Sequence, residues 1–250
     1  MKEQEMALKN LIYKIRTGSA LYGTYVEGSS DEDFSGIFLP DKDYVMGIKS
    51  IEQVELSQKA SKSIRNQAGD VDYTIYALPK FIQLLLGNNP NIIEFMYVPK
   101  PCQIFTSKYS DQLIENRHLF LSKKAYHTFK GYAYTQRRKL EVKKENMTGR
   151  TELAEKFGYD VKFASHIIRL LLEVLQILTE KTLTFPLPQN NLVRDIKLGK
   201  YELPWVIEKA DYYEKLVDEA YIKSDLQYTS NYEEVNKLQI RLLEEFWRIK

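Results

Sequence analysis

Two hydrophobic periods divide this chain, and the switch between them constrains the fold more than any single residue. Residues 33–39 alternate loosely. Residues 71–76 alternate clearly, with Val71, Tyr73 and Ile75 on one side and Asp72, Thr74 and Tyr76 on the other. That period of two marks a half-buried strand. Ile51 to Leu56 reads as another strand, and 58–69 as a polar, basic loop without periodicity. From Leu78 the pattern becomes helical: Pro79 suits a first turn, and Phe81, Ile82, Leu84 and Leu85 supply an apolar face. Asn89 followed by Pro90 caps a further helix through Tyr97. Helices are expected over 5–15 (Met6, Leu11, Ile12 and Ile15 near one stripe), 108–116, 122–145, 159–180, 203–219 and 230–249, with no strand after Pro101. Early strands and late helices give a segregated α+β fold. A small mixed β-sheet core with flanking helices occupies 1–105, and an all-helical domain follows over 106–250.

At 250 residues, with 44% hydrophobic and 28% charged residues, the chain can bury a real core. Its single cysteine, Cys102, excludes an internal disulfide and a cysteine-rich zinc site, and fits a reducing compartment. The acidic start, Met1-Lys2-Glu3-Gln4-Glu5, lacks the apolar run of a signal peptide. Ile167 to Leu178 is interrupted by Arg169, Glu173 and Gln176, so it is a core helix rather than a membrane span. A cytoplasmic location and no membrane partner are expected. The net charge of +2 hides an uneven distribution. Between Arg117 and Lys144 stand nine Lys or Arg against one acid, Glu141, interleaved with Tyr126, Phe129, Tyr132 and Tyr134. Such a segment suits a nucleic-acid backbone with bases stacking on the rings, or equally a solvated helix face balanced by the acids after Glu202.

The carboxylates carry the chemistry. In extended chain, residues i and i+2 share a face, so Asp31 and Asp33 converge while Glu32 points away. Magnesium is held by one or two carboxylates together with substrate phosphates. Two such ions, roughly 3.5–4 Å apart, clamp the attacking and leaving oxygens of phosphoryl chemistry. Asp72, on the strand face opposite Val71, Tyr73 and Ile75, is the third acid such a site needs. Gly18-Ser19 supplies the other half, because glycine lets backbone approach phosphate and a serine hydroxyl binds its oxygens.

Gly18-Ser19, Asp31-Glu32-Asp33 and Val71-Asp72-Tyr73 together resemble the active-site pattern of the DNA-polymerase-beta-like nucleotidyltransferase superfamily. Several segments look like its RNA-ligase-associated, polymerase-beta-like branch. They are Gly18 to Thr24, Ser30 to Ile37, Asn89-Pro90-Asn91-Ile92-Ile93-Glu94, and Gly158-Tyr159-Asp160-Val161-Lys162 running on to Leu171. The resemblance spans about residues 15–205. It implies metal-dependent transfer of a nucleoside monophosphate from a triphosphate, ATP by expectation, to a hydroxyl, with release of pyrophosphate. Asp31, Asp33 and Asp72 would be catalytic and would bind two Mg2+ or Mn2+ ions. Gly18, Ser19 and Ser30 would hold the nucleotide.

Lys162, His166 and Arg169 are spaced i, i+4, i+7 and share one helical stripe. They are expected to meet the triphosphate, Lys162 and Arg169 at its β- and γ-phosphates. The competing reading pairs Arg169 with Glu173 and makes His166 a satisfied core residue. Asn89 is explained as a helix cap and Glu94 as an acceptor for nearby backbone amides, and neither these nor Asn91 joins the catalytic set. RNA is the favoured acceptor, with 117–144 as its track. A protein acceptor, a small molecule, or a catalytically silent nucleotide- or RNA-binding module remain the alternatives.

Overall fold

The computed structural model describes residues 2–25, 32–56, 71–142 and 155–249. Its strands are β1 (Leu11–Arg16), β2 (Glu32–Phe38), β3 (Gln53–Glu55), β4 (Val71–Ala77) and β5 (Gln103–Phe105). They form one mixed sheet in the order β3-β4-β2-β1-β5, with β2 and β4 parallel and the other pairs antiparallel. Tyr73, Ile75 and Ala77 of β4 pack with Phe38, Val54 and the buried Met6 and Ala7 of α1 (Lys2–Lys9). This small cluster covers one face of the sheet, and the helical half covers the other.

Two expectations are corrected here. The helix expected over 5–15 ends at Lys9, and the next residues form β1. Leu11, Ile12 and Ile15 satisfy a helical stripe, but Tyr13 and Ile15 lie two apart on one fully buried strand face. The backbone of β1 is satisfied by β2 on one side and β5 on the other. The second correction is β5 itself, three residues at the sheet edge and too short to show a period. The loop expected over 58–69 lies outside the described residues.

After β4 the chain turns directly into α4 (Leu78–Leu86), with Pro79 in its first turn. Asn89 then caps α5 (Pro90–Ile93) by accepting from the Asn91 amide at 3.1 Å, and a 3-10 turn carries Glu94–Tyr97. The later helices are α6 (Lys108–Glu115), α7 (Lys124–Val142), α8 (Val161–Glu180), α9 (Asn190–Lys197), α10 (Leu203–Lys223) and α11 (Tyr232–Ile249). Helix α8 is the hub, packed against α7, α9 and α10. Its start explains the Gly158-to-Lys162 segment: the Asp160 side chain accepts from the amides of Lys162 and Phe163 at 3.0 and 3.2 Å. That arrangement is an N-cap. One continuous core runs from Ile12, Tyr13 and Ile37 in the sheet through Leu170 and Leu171 to Leu243. Trp247 donates to the Pro40 carbonyl at 3.0 Å, fastening α11 to the chain just after β2. Among the described residues, no helix is long and apolar enough to cross a membrane.

Candidate active site

The parallel pairing of β2 with β4 sets Asp33 directly opposite Asp72 and Ser35 opposite Thr74. In-register neighbours of parallel strands point to the same side, so the two carboxylates stand together on one face. They open into a cavity of about 250 Å³. Ser35, Thr74 and Tyr76 continue its floor, Thr17, Gly18 and Tyr22 form one wall, and Asn91, Glu94 and Phe95 form another.

Gly18 is placed by two requirements. Its φ of 66° lies in the region that favours glycine, and a Cβ there would stand 2.3 Å from Asp33 Oδ2. The Thr17 amide donates to the Asp33 carbonyl at 2.9 Å, so the turn is bound to the strand that carries the acid. Ser19 opens the one-turn helix α2 (Ser19–Tyr22) directly after the glycine. Arg16 pairs with Glu32 on the other face of β2, keeping that acid away from the cavity. The described residues of the cavity wall are rich in hard oxygen donors and include no Cys or His, a set suited to magnesium or manganese. Among the described residues no group of three metal-ligating side chains forms. Asp31 and Ser30, expected to contribute, lie outside the described residues.

The cationic stripe on α8 divides. Lys162 and His166 are partly buried on its first two turns, whereas Arg169 is 3% exposed. Its guanidinium donates to Glu94 Oε1 at 2.5 Å and Glu173 Oε1 at 3.0 Å, and lies 4.1 Å over the Tyr22 ring. The Tyr22 hydroxyl donates to Glu94 Oε2 at 2.8 Å. None of the three stripe residues is among the described residues lining the cavity. Arg169, expected to meet the triphosphate, is held by two buried acids and borders the cavity wall through Glu94 and Tyr22.

Burial pushes Glu94 above the usual carboxylate range despite the nearby Arg169, and pushes Glu173 well above it. It also lifts the Tyr22 hydroxyl well above its ordinary value. Burial works to lower Arg169, but Glu173, Tyr22 and Glu94 hold it above its usual range, so it stays charged. One cation thus faces two carboxyl groups in a buried site, and burial favours the protonated form of each acid. Glu94 is the site residue that sequence reasoning missed. The available signal was an acid inside the apolar run Ile92-Ile93-Glu94-Phe95-Met96, which burial obliges to find a partner.

The basic segment is also reorganised by the fold. Lys130 pairs with Asp218 at 2.6 Å, and Arg137 with Asp211 at 2.6 Å and Glu214 at 3.7 Å, all acids of α10. Phe129 is fully buried, and Tyr126 stacks on Tyr221 with ring centroids 4.3 Å apart. Of the segment expected as a track over 117–144, Arg117, Lys124, Tyr134, Arg138 and Lys139 are exposed. Lys143 and Lys144 lie outside the described residues.

The sequence of this protein matches the model of the RlaP family, the RNA repair pathway DNA polymerase beta family, over residues 1–238. The chain belongs to that family of polymerase-beta-like nucleotidyltransferases. It is similar to the uncharacterized protein MJ0002 of Methanocaldococcus jannaschii, 29% identical over 129 residues, or 52% of this chain. That match spans about half the length of the archaeal protein, 49%. Among solved structures, a nucleotidyltransferase-like protein from Exiguobacterium sibiricum aligns over 89% of this chain and 72% of its own, with 11% identity and a TM-score of 0.31.

Proposed function

We propose that this chain transfers a nucleoside monophosphate from a triphosphate, ATP in the first instance, to a hydroxyl on RNA and releases pyrophosphate. The observation that carries the reading is the in-register Asp33–Asp72 pair on the floor of a cavity walled by the Gly18 turn. Asp33 and Asp72, with Asp31, would hold two magnesium or manganese ions, which when bound supply electrostatic stabilisation of charge on the phosphoryl oxygens. Gly18 and Ser19 offer backbone amides and a hydroxyl to the triphosphate, with Ser30 adding a second hydroxyl. Lys162 and His166 are the polar groups of the helical half assigned to its outer phosphates. The Asp72 carboxylate accepts the proton of the attacking hydroxyl, and Asp33 would act as a ligand of the metal ions.

RNA is favoured as acceptor by the RNA-repair description of the family and by the exposed Lys124, Arg138 and Lys139 of α7. A direct test incubates the protein with each labelled triphosphate, magnesium or manganese, and mixed RNA and protein. Label on RNA supports the proposal, label on protein moves the acceptor, and label on neither refutes transfer to a macromolecule.

A further inference from the structure

Between the cavity and the helical half lies a buried group of side chains whose role the reaction scheme leaves open. We propose that Arg169 is a positioning residue that sets the Gly18 turn against Asp33, acting through Glu94 and Tyr22. The catalytic consequence rests on the nucleotidyl-transfer reading above, whereas the positioning of the turn does not.

The path is short, and each step along it is a direct bond or a packed neighbour. Arg169 is anchored in α8 by Glu173, one turn further along the helix, at 3.0 Å. It meets Tyr22 twice, by stacking on the ring at 4.1 Å and through Glu94, which accepts from both side chains. Tyr22 is the last residue of the single turn α2, and its amide donates to the Gly18 carbonyl at 3.2 Å. Gly18 in turn lies so close to the Asp33 carboxylate that a methyl group would not fit between them. A rotation of Tyr22 is therefore passed through one helical turn to the backbone against the acid.

The far end of α2 is held equally closely by the helical half. Gly23, at φ 71°, leaves no room for a Cβ between itself and Asn190 and Pro186, which would lie 2.6 and 2.8 Å away. Lys197 donates to the Thr24 carbonyl at 3.3 Å, and the Phe185 ring lies 6.0 Å from that of Tyr22. Leu21 is fully buried beneath. A four-residue helix has almost no stability of its own. The conformation of the Gly18 turn is thus supported by what packs on α2, and Arg169 is the buried charged group in that packing. Burial at 3%, 2% and 0% exposure for Arg169, Glu94 and Glu173 keeps these bonds out of competition with water.

The test uses the full chain. Tyr22→Phe removes only the hydroxyl link and keeps the ring on which Arg169 stacks. Arg169→Lys keeps the charge and gives up the planar fork that bonds two acids at once. Amide hydrogen exchange across residues 19–24 is expected to quicken about tenfold in both variants, with amides in the middle of α11 unchanged. In the active enzyme kcat should fall about tenfold with KM for the triphosphate changed less than twofold, and the two effects should overlap rather than multiply in the double variant. Unchanged exchange at 19–24 in Tyr22→Phe, which keeps the folded packing, overturns the proposal. Faster exchange in a protein whose wild type transfers no nucleotide would leave the positioning standing and remove the transferase reading.

Discussion

Replacing Arg169 by methionine tests the buried cluster through its proton balance. The arginine is the only cation bonded to Glu94 and Glu173 among the described residues, and all three side chains are at most 3% exposed. Water therefore screens little of the loss. Removing one partner from such a site costs about 3–5 kcal/mol, because the charge left behind has lost its compensation. For a chain of this length that corresponds to a fall in Tm on the order of 10 °C. The pH dependence follows from the upward shifts of both acids. A carboxyl raised in the folded state contributes stability that is fully present below its unfolded value and is lost as pH rises through the folded one. Without Arg169 both groups rise further, so the deficit is largest at neutral pH and shrinks as pH falls toward and below about 4.5, where the unfolded acids become protonated too. Thermal melts of variant and wild type at pH 7.5, 6.0 and 5.0 give the difference directly. A deficit that does not change with pH, or one below about 1 kcal/mol, would refute the argument.

Three further outcomes are expected. Glu173→Gln, which copies the shape of the protonated acid, should change stability by no more than about 1 kcal/mol, since the arginine keeps its bond to Glu94; chemical denaturation reads this, and a loss like that of Arg169→Met would contradict it. Gly18→Ala places a methyl group 2.3 Å from Asp33 Oδ2 at a φ of 66°, and should cost about 1–3 kcal/mol together with most of the transfer activity; a variant with wild-type Tm and rate would show that the turn adapts freely. Arg138→Glu, on the exposed face of α7, should weaken RNA binding and reduce the salt dependence of log K by about 0.7–0.9 for each phosphate the protein ceases to neutralise. Arg137→Gln should affect binding far less, because Asp211 and Glu214 already engage that side chain, and equal effects from the two would place RNA elsewhere.

Much of the fold is legible in the sequence because alternation and helical periodicity report burial, and burial directs most of these elements. The alternation at 71–76 separates the face of Tyr73 and Ile75 from the face of Asp72 and Thr74, and the structure places those faces on the small core and the cavity respectively. Residues 11–16 mislead because a short apolar run satisfies both periods, and only the flanking strands β2 and β5 decide between them. Helix α9, absent from the expected helices, is only eight residues long, with Val193 and Ile196 as its buried side chains. The stripe on α8 shows the other limit. Helical spacing places Lys162, His166 and Arg169 on one helix, but it does not say what faces each, and Glu94 lies 75 residues from its arginine in the chain. The α10 acids that meet Lys130 and Arg137 are visible as balancing charge after Glu202, though not as particular partners.

The proposed transfer rests on Asp33 and Asp72 acting together on a nucleoside triphosphate. The direct measurement is the rate of labelled nucleotide transfer to RNA, with pyrophosphate release, by wild type, Asp33→Asn and Asp72→Asn at matched fraction folded. Transfer by the wild type is expected, with a loss on the order of a hundredfold or more in kcat for each variant and melting temperatures close to wild type. Wild-type rates in either variant would contradict it.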